Sequence, residues 1–351
     1  MTIGLATSAA LAALAAQRAV VVATGVGATD TAAIQAAITA HPGKTIWVTG
    51  TDTTLTGTLT ILTDRTRLDG DVTLTAAFTA GPMVRVQNAD YCGVGEGLFF
   101  DGDWQTGVAA LELRGALLGE FHVTGDQLPI AVNLDCANAA ATQNSAMNHL
   151  WVIVRNGIKG IVFTGTSGQQ ATNNIVERLE WWGAASVAST GIDFVAYADN
   201  NIVRRAYLRL TAANHIGVIY NSQAPTSDRE VYENHVEGVI ESDSSGATAV
   251  KGNKTWQAAG RWTTYCRLRL SGAHTPTMDL ASTSDVVLVD SNSNGNPSGL
   301  APRVGSGVPD ALAGTLGEFY LRTDTPGVAS QNIYVCTVAG IAGAATWGAL
   351  L

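Results

Sequence analysis

The stretch from Asn174 to Trp182 reads NIVERLEWW, and it has three relatives in the same chain: NHLWVIV begins at Asn148, NIVRRAYLRL at Asn201 and NHVEGVI at Asn234. The four asparagines are separated by 26, 27 and 33 residues. Each stretch is rich in residues that favour strands, and a second strand-like segment follows each one. One coil of a parallel β-helix needs about this length for its short strands and corners. The repeat therefore predicts a parallel β-solenoid.

Aligning the four stretches on their asparagines produces columns of similar residues. The position two residues after each asparagine is always aliphatic, as expected for the interior of a solenoid; it holds Leu150, Val176, Val203 and Val236. The asparagines themselves are expected to form a ladder at a corner, because Asn tolerates left-handed turns and bonds to its neighbours. The second segments GIVF at Gly160, GIDF at Gly191 and GVIY at Gly217 share a pattern with an aromatic residue at its end, which GATAV at Gly246 lacks.

The alignment also brings charged residues into register. Neighbouring coils lie about 4.8 Å apart, so Glu177 is placed beside Arg204, and Arg204 beside Glu237. Opposite charges in adjacent positions stabilise such a stack. Arg178 and Arg205 are aligned as like charges, which makes the alignment imperfect.

Upstream of the repeats, VGATDTAAIQAAITAHPGKTIWV from Val26 to Val48 contains a short alanine-rich helix followed by a strand. Asp30 is expected to be the N-cap of this helix, and Ile34 and Ile38 lie on one face of it. A β-helix has an open end that must be covered. The helix is therefore predicted to cap the first coil, packing on the TIWV strand.

Composition narrows the range of partners. Charged residues are 14 % of the chain and the net charge is −9, which argues against a nucleic-acid groove because phosphate binding needs clustered Lys and Arg. The six histidines are scattered without ligand spacing, and no metal or cofactor is predicted. Four distant cysteines without a C-x-x-C pair are expected to be buried free thiols; they are Cys92, Cys136, Cys266 and Cys336.

Residues 1–24 begin with an Ala/Leu run that lacks the basic start of a signal peptide and is too short to span a bilayer. We predict a helix there that attaches to symmetry mates or to a larger assembly. The β-helix is predicted over residues 25–290 and a linker of Ser, Gly, Asn and Pro over 291–314. Residues 315–351 are predicted to form a small β-module, in which GEFYLRTD and NIYVCTVAG form a hairpin and a Trp-bearing strand closes it.

Two segments resemble bacteriophage proteins. The segment from Gly27 to Val48, together with LTILTDRTRLDGD from Leu59, resembles the N-terminal part of pectate-lyase-like phage tailspikes, although the usual prolines are missing at VTGTDTT. The C-terminal module resembles small modules at the ends of phage tail fibre proteins. Its matching residues are Tyr320, Leu321, Arg322, Thr323, Asp324, Tyr334, Val335 and Trp347. The resemblance implies a right-handed parallel β-helix in an elongated homotrimeric virion protein.

Glycan cleavage needs two carboxyl groups roughly 5 to 10 Å apart. The candidate pairs are Asp101 with Asp103, Glu177 with Glu180, and Asp193 with Asp199. Asp101-Gly102-Asp103 is typical of a turn, and Glu177 is explained by Arg204. The catalytic patterns of polygalacturonase-type β-helices and a calcium-binding acid cluster are missing from the sequence. The catalytic residues therefore stay unknown, and the sequence favours binding over cleavage.

The candidate carbohydrate-binding residues are tryptophans. Trp181 and Trp182 are adjacent, so one points inward and the other outward if they lie in a strand, and Trp104 lies beside the Asp101 turn. An exposed indole is a flat apolar platform for a sugar ring or a neighbouring subunit, but a packed structural role is open for both residues.

Together these features predict a tail spike or tail fibre that is located in the virion, attaches through its N-terminus to other virion proteins and binds a host surface polysaccharide. The predicted partners include neither nucleic acid nor a membrane. Two alternatives remain open at this stage: a polysaccharide depolymerase on the same fold, and a head-decoration spike.

Overall fold

The computed structural model describes residues 17–220, 231–244, 246–252, 264–272, 277–280, 287–291, 303–305, 319–322, 333–338 and 346–349. Within residues 17–220 it contains a single α-helix, α1 (Gly27–Ala40), and nearly all other regular structure is β-strand. Of the helix predicted over 1–24, residues 1–16 lie outside the described residues. Arg18–Ala23 forms a strand, so the helix prediction is wrong for this part, where three consecutive valines favour extended backbone.

Three parallel sheets make up the solenoid. The long sheet contains β1 (Arg18–Ala23), β2 (Thr45–Gly50), β3 (Thr53–Leu55), β5 (Arg67–Gly70), β6 (Thr73–Ala76), β8 (Gly93–Val94), β9 (Phe99–Asp101), β11 (Glu120–Asp126), β14 (His149–Gly157), β17 (Ile175–Gly183), β20 (Ile202–Leu210), β23 (Asn234–Ser242), β25 (Thr264–Gly272) and β27 (Val287–Ser291). The second sheet contains β4 (Leu59–Ile61), β7 (Gly81–Gln87), β10 (Val108–Arg114), β12 (Ile130–Asp135), β15 (Lys159–Thr164), β18 (Thr190–Ala196), β21 (Ile216–Tyr220), β24 (Thr248–Gly252) and β26 (Thr277–Leu280). The short sheet contains β13 (Ser145–Ala146), β16 (Ala171–Thr172), β19 (Ala198–Asp199) and β22 (Val231–Tyr232).

Successive turns of the chain supply neighbouring strands in each sheet. The order β11-β14-β17-β20-β23 in the long sheet is matched by β12-β15-β18-β21-β24 in the second sheet, and the strand pairs are parallel. Parallel strands joined through crossovers wind with a right-handed sense. The chain is therefore a right-handed parallel β-helix, as the asparagine repeat predicts.

The interior columns follow the predicted register. Leu150 pairs with Val176, Val176 with Val203, Val203 with Val236, and Val236 with Cys266, and all five side chains are buried. This confirms the aliphatic column and extends it by one turn. The burial of one such valine contributes about 1.5 to 3 kcal/mol.

An aromatic stack fills the interior beside the second sheet. The rings of Phe163 and Phe194 are 4.8 Å apart and those of Phe194 and Tyr220 are 5.1 Å apart, all nearly parallel. These are the aromatic residues of the GIVF, GIDF and GVIY segments. Glycine precedes them because the backbones approach closely: a Cβ on Gly160 would lie 2.3 Å from the carbonyl oxygen of Gly191.

The predicted asparagine ladder is confirmed at the corner where β14, β17, β20 and β23 begin. Nδ2 of Asn148 donates to Oδ1 of Asn174 at 2.9 Å, and the same bond joins Asn174 to Asn201 and Asn201 to Asn234. Each amide also donates to a backbone carbonyl of a preceding turn. The ladder is fully buried, so these hydrogen bonds are made without competing water.

Helix α1 packs on β1 to β4 at the N-terminal end, with Ile34 and Ile38 buried. This confirms its predicted capping role. The prediction that Asp30 is the N-cap is wrong, because the helix begins earlier, at Gly27. The Asp30 carboxylate is buried and accepts hydrogen bonds from the backbone N–H groups of Thr24 and Gly25 and from the hydroxyls of Thr24 and Thr53.

The C-terminal module forms a separate sheet of four strands, β28 (Arg303–Gly305), β29 (Phe319–Arg322), β30 (Ile333–Val338) and β31 (Thr346–Ala349). Strands β29 and β30 form the predicted antiparallel pair, and β31, which contains Trp347, closes it. The sequence analysis missed β28, which lies inside the predicted linker and pairs in parallel with β29.

Cys92 and Cys136 are buried free thiols, as predicted, and Cys266 is also buried. Burial raises the pKa of Cys92 to about 11 and also raises the pKa of Cys136. Both thiols are therefore protonated and unreactive near neutral pH. The side chain of Cys336 lies outside the described part of the chain.

Candidate functional site

The outward surface of the long sheet, where β11, β14, β17 and β20 lie side by side, carries a concentration of aromatic and basic side chains. Side chains of a strand alternate between its two faces, so every second residue of these strands points away from the interior. In β17 this alternation is interrupted after Val176, where the register to β14 shifts by one residue. The bulge turns both Glu177 and Arg178 outward.

Trp181 and Trp182 lie beyond this bulge and point in opposite directions, as predicted. Trp181 is fully buried, which removes it from the predicted carbohydrate-binding set because its indole has no access to a ligand. Its Nε1 is buried without a hydrogen-bond partner. Trp182 is outward and half-buried. Of the two, only Trp182 is placed to meet a ligand.

Two side chains from neighbouring turns surround the indole of Trp182. The guanidinium of Arg155 lies 5.3 Å from the ring centroid, a distance at which cation–π attraction operates. On the other side, Tyr207 meets the indole edge-on at a centroid distance of 6.0 Å. These contacts hold the indole in a fixed orientation. We define Arg155, Trp182 and Tyr207 as the Trp182 cluster.

A second aromatic group lies nearby on β11 and β14. The rings of His122 and Trp151 are stacked at 4.5 Å with an interplanar angle of 1°, and His149 lies 6.3 Å from Trp151. His122 and Trp151 are direct neighbours in the strand register. Trp151 is the register neighbour of Arg178, four residues before Trp182, so this second group lies about 13 Å along the strands from the Trp182 cluster.

The carboxylates near the Trp182 cluster are all occupied by partners among the described residues. The pairs are Glu177 with Arg204, Glu180 with Arg178, Asp243 with Arg209, and Glu241 with Tyr207. Glu177 lies 3.2 Å from Arg204 and also bonds to His149 at 3.1 Å, which confirms the predicted ion pair. Glu237, the expected third member of that column, is bonded to His235, because a register shift follows Val203.

Burial and hydrogen bonding together keep Tyr207 protonated. Burial, followed by the hydrogen bond to Glu241, raises the pKa of Tyr207 to about 12. The phenol therefore remains a neutral donor to the carboxylate. Asp243 raises the pKa of Arg209 through its hydrogen bond and charge. Tyr207 and Arg209 thus keep their protonation states over the whole neutral pH range.

Trp104 lies at the same margin of the long sheet. Asp101 of β9 is the register neighbour of Asp126, which is the neighbour of Arg155. Trp104 follows in a turn with left-handed backbone at both Asp103 and Trp104, where the Asp103 N–H donates to Asp101 Oδ1 at 3.0 Å. This confirms the turn predicted for the two acids. The Trp104 side chain is 43 % exposed, and three sheet spacings, or about 14 Å, separate the backbone of Asp101 from that of Trp182.

The remaining predicted acids do not form an open pair. Asp193 is buried on the second sheet with one carboxylate oxygen 2.7 Å from Lys159 Nζ and the other without a partner. Asp199 is buried in the short sheet and bonds to Asn200. Both environments exclude the water that hydrolysis would consume.

Sequence analysis missed a further cluster of charges on the second sheet. Glu112 is buried between Arg85, at 2.6 Å, and Arg114, at 3.1 Å, and Arg114 Nε lies 3.7 Å from Asp135. Burial and the charge of Glu112 raise the pKa of Asp135. The alternation of side chains in β7, β10 and β12 predicts that these residues lie on one face of the second sheet. It does not predict their burial, which brings them into contact.

Comparison of the chain with protein-family models, with curated proteins and with solved structures finds no match. Within the described ranges, no helix is long and apolar enough to cross a membrane. The described residues also contain no group of three or more His, Cys, Asp or Glu side chains able to hold a metal ion.

Proposed function

We propose that the protein is a structural protein of a bacteriophage virion, a tail spike or tail fibre, and that it binds a host surface polysaccharide through the outward face of its long sheet. In this proposal it is a homotrimer attached to other virion proteins through its N-terminus. The parallel β-helix and the resemblance of the Gly27–Val48 segment and of the C-terminal module to phage proteins support the viral assignment.

The Trp182 cluster is the observation that carries the binding proposal. A sugar ring has an apolar face and a polar rim, and an oriented indole with a guanidinium and a phenol beside it offers partners for both. Trp151 lies along the strands from this cluster, and Trp104, which follows β9, lies across the sheet from it. A linear polysaccharide fits such a face better than a compact ligand does, because the aromatic groups are spread over several turns.

The pairing of the carboxylates makes this face a better candidate for binding than for cleavage. A general acid needs a raised pKa and access to the glycosidic oxygen. Glu177, Glu180 and Glu241 are engaged by Arg or Tyr partners. For the depolymerase alternative, the raised pKa of Asp135 beside Glu112 is the one favourable observation, and release of soluble reducing ends from host polysaccharide tests it.

The binding proposal is tested with immobilised bacterial surface polysaccharides and the purified full chain. We expect Trp182→Ala to weaken binding at least about tenfold, equivalent to about 1.4 kcal/mol, because the cluster loses its central platform. Glu177→Gln should leave binding unchanged, because its ion pair with Arg204 is exposed and contributes at most about 1 kcal/mol to stability.

Trp47→Ala is the matched control. Trp47 is also an outward, half-buried indole of the long sheet, and the guanidinium of Arg18 lies 5.0 Å from it, but it is located in the first turns.

Equal binding by wild type and Trp182→Ala would contradict the assignment of the site. Loss of reducing-end release on Glu177→Gln would instead replace it with a depolymerase site. Labelled antibodies on intact virions distinguish a tail position from a head-decoration spike.

A further inference from the structure

One corner of the solenoid has the same unusual backbone conformation in seven turns. The residues concerned have φ between +53° and +61°; they are Arg65, Tyr91, Leu118, Met147, Asn173, Asn200 and Glu233. The residues just before them are bridged in parallel from turn to turn, from Asp90 through Leu117 and Ala146 to Tyr232. The Arg65 N–H donates to the carbonyl of Asp90 in the next turn, just as the Tyr91 N–H donates to that of Leu117. The seven therefore form one column along the solenoid, which we call the corner column.

The middle of this column carries large apolar side chains in a conformation that does not favour them. Left-handed backbone suits Gly and Asn and is a steric outlier for bulky residues. Tyr91, Leu118 and Met147 nevertheless occupy it in three adjacent turns, with 55 %, 42 % and 52 % of their surface exposed. They form an apolar ridge whose first and last members are about 10 Å apart. Both the conformation and the exposure are unfavourable in an isolated chain.

Charge along the column limits what can cover this ridge. The five residues from Tyr91 to Asn200 are neutral, and the two charged members, Arg65 and Glu233, are at its ends. Arg65 is engaged by Tyr91, with its guanidinium 5.7 Å from the ring centroid. A sugar chain would need hydrogen-bonding groups that Leu118 and Met147 do not have. The ridge therefore needs an apolar surface as its partner. Because the column is neutral between its two ends, a second copy of it can supply that surface without like charges meeting at the ridge.

We propose that the corner columns of separate copies of this chain pack against one another in parallel around a common axis, with Tyr91, Leu118 and Met147 at the contact. In a parallel assembly each level of the column meets its own copy. Tyrosine, leucine and methionine then contact like residues, and Asn173 and Asn200 meet amides that both donate and accept.

An antiparallel arrangement centred on Met147 fits less well. It would place Leu118 opposite Asn173 and Tyr91 opposite Asn200, which buries amides against apolar atoms. It would bring Arg65 to Glu233, whereas the parallel arrangement brings each of these charges to its own copy. Exposed charge pairs at the ends of the column contribute little in either arrangement, so the apolar and amide contacts decide. The inference rests on the homotrimer part of the proposed function and is independent of glycan binding.

Crosslinking tests the location and the direction of the contact. We expect Leu118→Cys in the full chain to form covalent dimers under mild oxidation, at least tenfold faster than Val187→Cys, which exposes an apolar residue at another corner. Wild type gives the background rate, since its described cysteines are buried. If the chain assembles but the two variants crosslink equally slowly, the proposed surface is wrong and the trimer itself is not affected by the result. Faster crosslinking of Leu118→Cys with Asn173→Cys than of Leu118→Cys alone overturns the parallel direction.

Association is measured on Leu118→Asn/Met147→Asn by light scattering over a concentration series. Asparagine fits the left-handed backbone, so the thermal transition of the separated chain should not fall, and we expect half-dissociation at a concentration at least tenfold higher than for wild type. Val187→Asn should leave the concentration of half-dissociation unchanged. A wild-type monomer at all concentrations overturns both this inference and the trimer of the proposed function.

Discussion

The corner that carries the corner column is built in two different ways along the solenoid. In the later turns the next residue points inward and is an asparagine, and the amides of Asn148, Asn174, Asn201 and Asn234 bond to one another. In the earlier turns the equivalent inward residues are Thr66, Cys92 and Gly119. The backbone is left-handed in both regions.

The difference lies in how the buried polar groups are satisfied. In the early turns Thr66 and Cys92 each make a separate bond: Thr66 accepts from the N–H of Gly43 at 3.0 Å, and the Cys92 thiol donates to the carbonyl of Thr63 at 3.3 Å. In the later turns each amide serves two neighbours, so the bonds form one continuous chain. The same corner geometry is thus compatible with independent contacts or with a coupled ladder, and we expect the two regions to respond differently to substitution.

The largest expected effect is that of Asn174→Ala. The amide of Asn174 donates to the Ser145 carbonyl and to Asn201, and accepts from Asn148, with all of these groups buried. Each buried group left without a partner costs about 1 to 3 kcal/mol, so we expect the free energy of unfolding to fall by about 3 kcal/mol or more. Chemical denaturation measures this change.

Asn173→Ala is the matched control, because Asn173 is the exposed neighbour that belongs to the corner column. We expect a loss of only about 1 kcal/mol, from the left-handed backbone that alanine disfavours. A similar loss for both substitutions would show that the ladder has no special role in the later turns.

The ladder and its consequences were accessible from the sequence, whereas the early corner was not. Asn148, Asn174, Asn201 and Asn234 gave the period, and the aliphatic residues two positions later gave the interior column. Tyr91, Leu118 and Met147 carry no local signal for left-handed backbone, because none of them favours it. Only the stacking of successive turns imposes that conformation on them.

The candidate site was predictable to a similar extent. Strand alternation separates Trp181 from Trp182, and the repeat alignment pairs Glu177 with Arg204. Tyr207 was missed because it is aligned with Glu180 and reaches Trp182 diagonally. Arg155 was missed because a register shift between β14 and β17 decides which side chain lies beside Trp182. Such bulges depend on tertiary packing and have no signature in a single sequence.

The second prediction uses pH to separate the N-terminal end from the ladder. Burial opposes ionisation of Asp30, but hydrogen bonds from Thr53, Thr24 and Gly25 outweigh it and lower the pKa of Asp30 below 3.8. Its stabilising contribution is therefore present above the unfolded pKa of about 3.9 and is lost as the pH falls through the folded pKa. We expect Asp30→Asn to cost about 2 kcal/mol at pH 7, and less below about pH 4.

Thermal unfolding of wild type and Asp30→Asn between pH 7 and pH 3 measures the dependence. The amides of the ladder do not titrate, so the effect of Asn174→Ala should be the same across this range. If the difference between wild type and Asp30→Asn stays constant down to pH 3, the hydrogen-bonded carboxylate is not what stabilises the N-terminal cap.

The smallest expected effect comes from placing a leucine, as found in the early turns, at the same corner position of a later turn. Asn200→Leu places at the sixth position of the corner column the residue that Leu118 supplies at the third. The substitution removes the bond from Asn200 Nδ2 to Asp199 and puts a bulky side chain on left-handed backbone, so we expect the free energy of unfolding to fall by about 1 kcal/mol. Asn200→Ala separates the two causes, because it loses the same bond without adding apolar surface. If Asn200→Leu unfolds like wild type, left-handed leucine is harmless at this corner, and the backbone of Tyr91, Leu118 and Met147 carries no cost. If Asn200→Leu loses about 1 kcal/mol and Asn200→Ala clearly less, the bulky side chain itself is costly on this backbone. The stacking of successive turns then holds Tyr91, Leu118 and Met147 in the left-handed conformation against that cost, whereas equal losses in the two variants assign the effect to the bond with Asp199.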